Sequence, residues 1–281
     1  MNGFSPRKAI RRRLHRSLVA SAERLESRSD LARSAVVFSP HPDDETLGCG
    51  GTIARKTAAG ATVAIVVLTD GGRSHGHLMP VDELVEKRAA EALAAAGILG
   101  VAQDDVVLLG FEDGRLDETA STAIAKVTEI LDRHQPEEVF IPYRGEPPGD
   151  HVAANRIVRA ALGACGRNVT VYEYAVWFWC HWPWARPPFF RRRQLLGRFR
   201  HTVRSGVSLL RDFRCAVDVR DVLATKRRAL DQYESQMTRL VPDPRWATFR
   251  DVSGGEFLDC CLGNYEFFSR SRNPAGAPDR T

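Results

Sequence analysis

Residues 39–51 read Ser-Pro-His-Pro-Asp-Asp-Glu-Thr-Leu-Gly-Cys-Gly-Gly, a histidine between two prolines followed by three consecutive carboxylates. Adjacent carboxylates repel one another unless a cation or a shared proton neutralises them. Imidazole together with carboxylate is the donor set of zinc and of its divalent neighbours. A second polar cluster, Arg-Gly-Glu-Pro-Pro-Gly-Asp-His at residues 144–151, ends in another histidine. His41 and Asp44 from the first cluster and His151 from the second supply three ligands, which suits a catalytic metal with a fourth position open to water. Asp43 stands beside these ligands without being needed as one. It is therefore the candidate to accept a proton from that water.

Side chains so far apart in sequence meet only if the chain carries them to one edge. The first cluster follows the apolar run Ala35–Phe38, which reads as a buried strand, and Thr62–Leu68 reads as a second. Helical spacing follows over Val81–Leu99, a strand at Val106–Leu109, a helix at Thr119–His134 and a strand at Val139–Tyr143. Val152–Cys165 is again helical and Val169–Val176 again a strand. This alternation predicts an α/β fold with a mostly parallel sheet covered by helices on both faces. Such sheets bind ligands at the carboxyl ends of their strands, where both polar clusters fall.

Beyond Trp177 the alternation stops at an aromatic, proline-rich stretch and an arginine-rich one. A last helix is expected from Val222 to about Met237, then a less regular C-terminal section. The expected organisation is a basic arm or helix over residues 1–34, a domain over 35–268 with an insertion at 176–214, and a disordered tail at 269–281.

The 281 residues carry a net charge of +5, much of the excess lying in residues 7–16 and 191–204. Ile10, Leu14, Leu18 and Leu25 lie at helical spacings within or just beyond the first of these, as in a basic amphipathic helix. Such segments support weak contact with an anionic membrane surface, whereas nucleic acid is disfavoured as a partner. No apolar run is long enough to cross a bilayer, and no apolar core follows the N-terminal basic residues. The six cysteines have no CxxC spacing and read as reduced thiols, which points to a cytoplasmic protein.

The run Pro-His-Pro-Asp-Asp-Glu-Thr-Leu-Gly-Cys-Gly-Gly-Thr-Ile-Ala resembles the signature of the LmbE-like, or PIG-L, family of zinc-dependent N-acetylsugar deacetylases. The stretches LTDGGRSH, KRAAEALAAAGILGV, LGFEDGRL, DHVAANRIV and KRRALDQYESQ agree with it in order, over roughly residues 35–240. The resemblance implies a Rossmann-like three-layer fold and a hydrolase that removes acetyl groups from amino sugars or their conjugates. It implies Zn²⁺, or another divalent metal, on His41, Asp44 and His151, with Asp43 as general base. An amidase acting on another acyl–amine bond, or a non-catalytic basic binding protein on this fold, are the rival readings. One departure stands out. Where the family commonly has a histidine, two residues before the aspartate of its second motif, this chain has Pro148, which has no proton to donate. His75 and His181 are the candidates to replace that catalytic group, and Asp150 is then free to orient a metal ligand.

Overall fold

The computed structural model describes residues 6–181, 183–185 and 210–273. Its sheet is built around β2 (Ala35–Ser39), with β3 (Val63–Thr69) and β4 (Val106–Phe111) on one side and β5 (Glu138–Pro142) and β6 (Val169–Tyr174) on the other. These five pair in parallel, Val37 lying opposite Ile65 on one neighbour and Phe140 on the other. The inner strands β2, β3 and β5 are rich in β-branched residues and buried on both faces, as a sheet covered by helices requires. Alternate residues of one strand serve opposite cores. Val36 and Phe38 pack with Val127, Leu131, Ala154 and Val158, from helices α5 (Ala120–His134) and α6 (Gly149–Cys165). Val37 faces the other core with Ile53, Ala92 and Ala96, from α3 (Asp44–Ala58) and α4 (Val81–Ile98). Three layers result, as expected.

The chain runs from β2 outward through β3 to β4, then returns across β2 to place β5 on its other side. Connections therefore diverge between β2 and β5, and their carboxyl ends open a crevice there. The loops entering α3 and α6 flank it.

Two glycines let α3 come close enough to form one wall. A Cβ on Gly48 would stand 2.2 Å from Tyr174 Cδ2, and one on Gly51 would stand 2.6 Å from Val219 Cγ1. Only glycine fits such approaches.

The C-terminal section departs from expectation. Residues 256–261 are helical, and β8 (Tyr265–Asn273) runs antiparallel between β6 and β7 (Phe213–Asp218). The strand extends to Asn273, into the stretch read as a disordered tail, because its partners Val169 and Thr170 continue the ladder that far. The helix expected over Val222–Met237 is two, α7 (Leu223–Leu230) and α8 (Glu234–Met237). Between them Tyr233 leaves helical geometry (φ −78°, ψ 62°), and its hydroxyl donates to the buried Glu45 carboxylate. The basic N-terminal stretch is helix α1 (Pro6–Ser21), with Leu18 fully buried and Leu14 packed beside it. No helix among the described residues is long and apolar enough to cross a membrane. The arginine-rich stretch 191–204, Trp182 and residues 274–281 lie outside the described residues.

Candidate metal centre and its cavity

His41, Asp43 and Asp44 sit where β2 turns into α3, and His151 opens α6 across the crevice. Asp44 Oδ2 lies 3.0 Å from His41 Nδ1 and 3.1 Å from His151 Nε2, and the two imidazole centroids are 5.3 Å apart. One donor atom from each of His41, Asp44 and His151 falls within 4.8 Å of the other two. The three expected ligands thus converge.

Whether this triad fits a cation is decided by His151. The residue is fully buried, and neither ring nitrogen has a hydrogen-bond partner among the described residues. Its Nε2 is close to Asp44 Oδ2 yet not aligned for a hydrogen bond, the relation of two ligands pointing at a common third body. An imidazole nitrogen orphaned at such depth is costly unless something is bound to it. The donor set of two imidazoles and one carboxylate is that of zinc hydrolases.

His41 is held from its other side. Its Nε2 lies 3.3 Å from Asp150 Oδ2 and 3.3 Å from Asp113 Oδ1, so carboxylates fix the ring while Nδ1 faces Asp44. Asp150 is itself anchored by the amides of Gly114 and Leu116 at 2.6 and 3.3 Å. Burial alone would lower the His41 imidazole, but Asp113, Asp150 and Asp44 together raise it well above its ordinary value. Burial likewise pushes Asp44 up, and His151 and His41 more than reverse it, holding the carboxyl far below its usual range.

Asp43 is strained into place. Its φ of 123° belongs to a region that non-glycine residues avoid, and such strain costs about 1–3 kcal/mol unless neighbours over-determine it. Here Arg88 does so, donating to Asp43 Oδ2 at 2.6 Å, to Gly71 O at 2.9 Å and to Pro42 O. Glu45 Oε2 accepts from the Asp43 amide at 3.2 Å and from Ser39 Oγ at 3.0 Å. Burial raises the Asp43 carboxyl well above its ordinary value, and Arg88 only partly offsets this.

A cavity of about 360 Å³ opens over these groups, walled by Ser74, Asp113, Pro148, Trp177, Gln236 and Phe249 among others. His75 and His181 do not line it, contrary to expectation. His75 Nε2 lies 2.9 Å from Ala247 O, and its ring stacks on Trp246 at 4.2 Å, so packing holds it away although Ser74 beside it reaches the wall. His181 Nδ1 is 2.9 Å from Phe178 O, with its ring against Phe178.

Four residues escaped the sequence reading. Arg88 and Glu91 look like a surface pair by spacing, yet both are buried. Arg88 serves Asp43, and Glu91 accepts from the Ser235 amide and hydroxyl at 2.8 and 2.6 Å. Asp113 lies just past the end of β4 in the stretch LGFEDGRL, and the strand-end rule could have found it. Glu146 gave no signal. It is buried with Oε2 3.7 Å from His151 Nδ1, while Oε1 accepts from the amides of Val176 and Phe178. Burial, opposed by His151, pushes its carboxyl up to about 7.

The GlcNAc-PI de-N-acetylase (PIG-L) family model matches residues 36–162. The chain is 28% identical over 257 residues to 1D-myo-inositol 2-acetamido-2-deoxy-alpha-D-glucopyranoside deacetylase of Rhodococcus erythropolis, covering 74% of this chain and 82% of that one. It is 29% identical over 226 residues to diacetylchitobiose deacetylase of Thermococcus kodakarensis, covering 76% and 72%. The structure of N,N'-diacetylchitobiose deacetylase from Pyrococcus horikoshii superposes with a TM-score of 0.62 at 19% identity, covering 98% and 95%, which shows the fold.

Proposed function

From the PIG-L family domain at residues 36–162 we propose that this protein is a zinc-dependent hydrolase removing the acetyl group from an N-acetylated amino sugar or its conjugate. The observation that carries the reading is the buried His151 imidazole, without a hydrogen-bond partner among the described residues and facing Asp44 beside His41. His41, Asp44 and His151 would hold the zinc, which when bound polarises an amide carbonyl and acidifies a water.

The remaining work belongs to the chain. Arg88 occupies Asp43 Oδ2, which leaves Oδ1 to accept the water's proton. A carboxylate whose affinity for protons is raised by burial is better matched to that task near neutral pH than an exposed one. As the amide breaks, Asp43 returns the proton to the departing amine. Pro148 contributes shape alone at the cavity wall. Trp177 and Phe249 offer flat apolar faces on which a sugar ring can rest.

The test is metal analysis coupled to amine release over a panel of amino sugars bearing acetyl and longer acyl groups. Stoichiometric zinc with release from acetylated members is expected. Release from longer acyl groups alone would make the protein a different amidase, and zinc-free hydrolysis would overturn the reading.

A further inference from the structure

A second cavity, of about 630 Å³, lies between α1 and the aromatic segment that follows β6, and it shares no wall residue with the cavity over the metal centre. Its volume is in the range of sites that bury a small organic ligand. Arg11, Arg12 and Arg16 line one side, Trp179, Trp184 and Tyr265 another, and Asp259 is the one carboxylate among the described residues of the wall.

The arginines of α1 divide by what they do. Arg7 pairs with Glu256 and donates to Pro183 O at 3.2 Å, so it clamps the helix to the domain. Arg11 donates to Trp184 O at 3.1 Å with one nitrogen of its fork. Arg12 and Arg16, one helical turn apart, pair with no acidic residue among the described ones. Positive charge at this mouth is thus left unspent, and planar guanidinium forks match phosphate oxygens.

The aromatic side has its own unfilled bond. Trp184 is 3% exposed, and its indole N–H is buried without a hydrogen-bond partner among the described residues. Trp179 stands edge-on to it, with centroids 5.1 Å apart, and Tyr265 closes the wall near Arg24. Aromatic side chains on this wall suit a planar ring that packs against them. A membrane surface fits less well, since Ile10 is the one large apolar side chain exposed on α1 among the described residues.

We infer that this cavity is a binding site for an organic phosphate carrying an aromatic ring, of the nucleoside diphosphate class, with Arg12 and Arg16 on the phosphates and the Trp179–Trp184 wall on the ring. The inference stands apart from the deacetylase reading, because it uses none of the residues of the metal centre.

Calorimetric titration of the full chain with adenosine diphosphate tests it, beside inorganic pyrophosphate and vesicles containing phosphatidylserine. Adenosine diphosphate is expected to bind once per chain and more tightly than pyrophosphate. The variant R12A/R16A, changed at exposed positions, should lose about tenfold or more in that affinity while keeping its melting temperature and its amine release. Equal affinity for pyrophosphate would remove the ring from the proposal. Unchanged affinity in R12A/R16A, binding of no nucleotide, or arginine-dependent binding to vesicles alone would each overturn it.

Discussion

At the scale of single residues, the site depends on which groups receive protons and which only shape the protein. Asp43→Asn keeps the volume and a hydrogen bond to Arg88 but cannot accept a proton. Turnover per bound metal should fall about 10²–10⁴-fold with metal content unchanged. Near-normal turnover with metal bound would remove Asp43 as the base. His75→Ala and His181→Ala make the opposite case, since neither ring lines the cavity. Both should keep turnover per metal within about threefold, an expectation that a loss on the scale of a missing transition-state donor would contradict. His75→Ala should still melt earlier, because it forfeits the stack on Trp246. The candidate ligands were legible because adjacent carboxylates at a strand end call for a cation or a donor to offset their repulsion. The helpers were not. Arg88 and Glu91 are spaced as an ordinary helical pair, and only tertiary structure turns their face inward.

At the scale of elements, α3 is the piece that must not move, since it carries Asp44 and abuts His41. A buried ion pair fixes its far side. Lys226 on α7 lies 2.7 Å from Glu266 on β8 and donates to Leu47 O at 2.9 Å and Cys261 O at 2.7 Å. Glu266 in turn accepts from the amides of Gly51 and Thr52 at 2.8 and 2.7 Å. Every proton of the Lys226 ammonium is used, and both side chains are buried. Lys226→Met would leave Glu266 as an uncompensated buried charge, destabilising the fold by about 3–5 kcal/mol in denaturant titration. A change under about 1 kcal/mol would show that the pair merely fills space. The five parallel strands were readable from the sequence because β-branched runs alternate there with helical periods. The β7–β8 half was not. Its strands pair antiparallel and out of chain order, β8 entering between β6 and β7, so no local pattern announces it. The break at Tyr233 was hidden for a related reason, as a distant partner, Glu45, pulls the residue out of a helix that local propensity would continue.

At the scale of the whole molecule, the centre is a tie between two halves of the doubly wound sheet. His41 and Asp44 belong to the β2–α3 connection and His151 to the entry of α6 after β5, and Asp44 Oδ2 meets His151 Nε2 at 3.1 Å between them. Asp44 Oδ2 stands beside both imidazoles, and the fully buried His151 nitrogens have no hydrogen-bond partner among the described residues. A bound divalent ion would satisfy them and close the crevice at once, so binding free energy becomes folding free energy. With zinc at a thousandfold excess over its dissociation constant, the folded state should gain about 4 kcal/mol, less whatever the unfolded chain retains through its histidines and cysteines. For a chain of this size that is a rise in melting temperature of about 2–4 °C per kcal/mol. The gain should vanish on chelation and return with zinc. His151→Ala should remove most of it, because two ligands from one loop no longer bridge the crevice. Without metal the same variant should melt below the parent protein, since it removes a fully buried ring beside the Asp44 carboxyl and leaves a cavity. Scanning calorimetry of both proteins with and without metal separates the two terms. A zinc response of equal size in His151→Ala would place the cation elsewhere and break the link between the two loops.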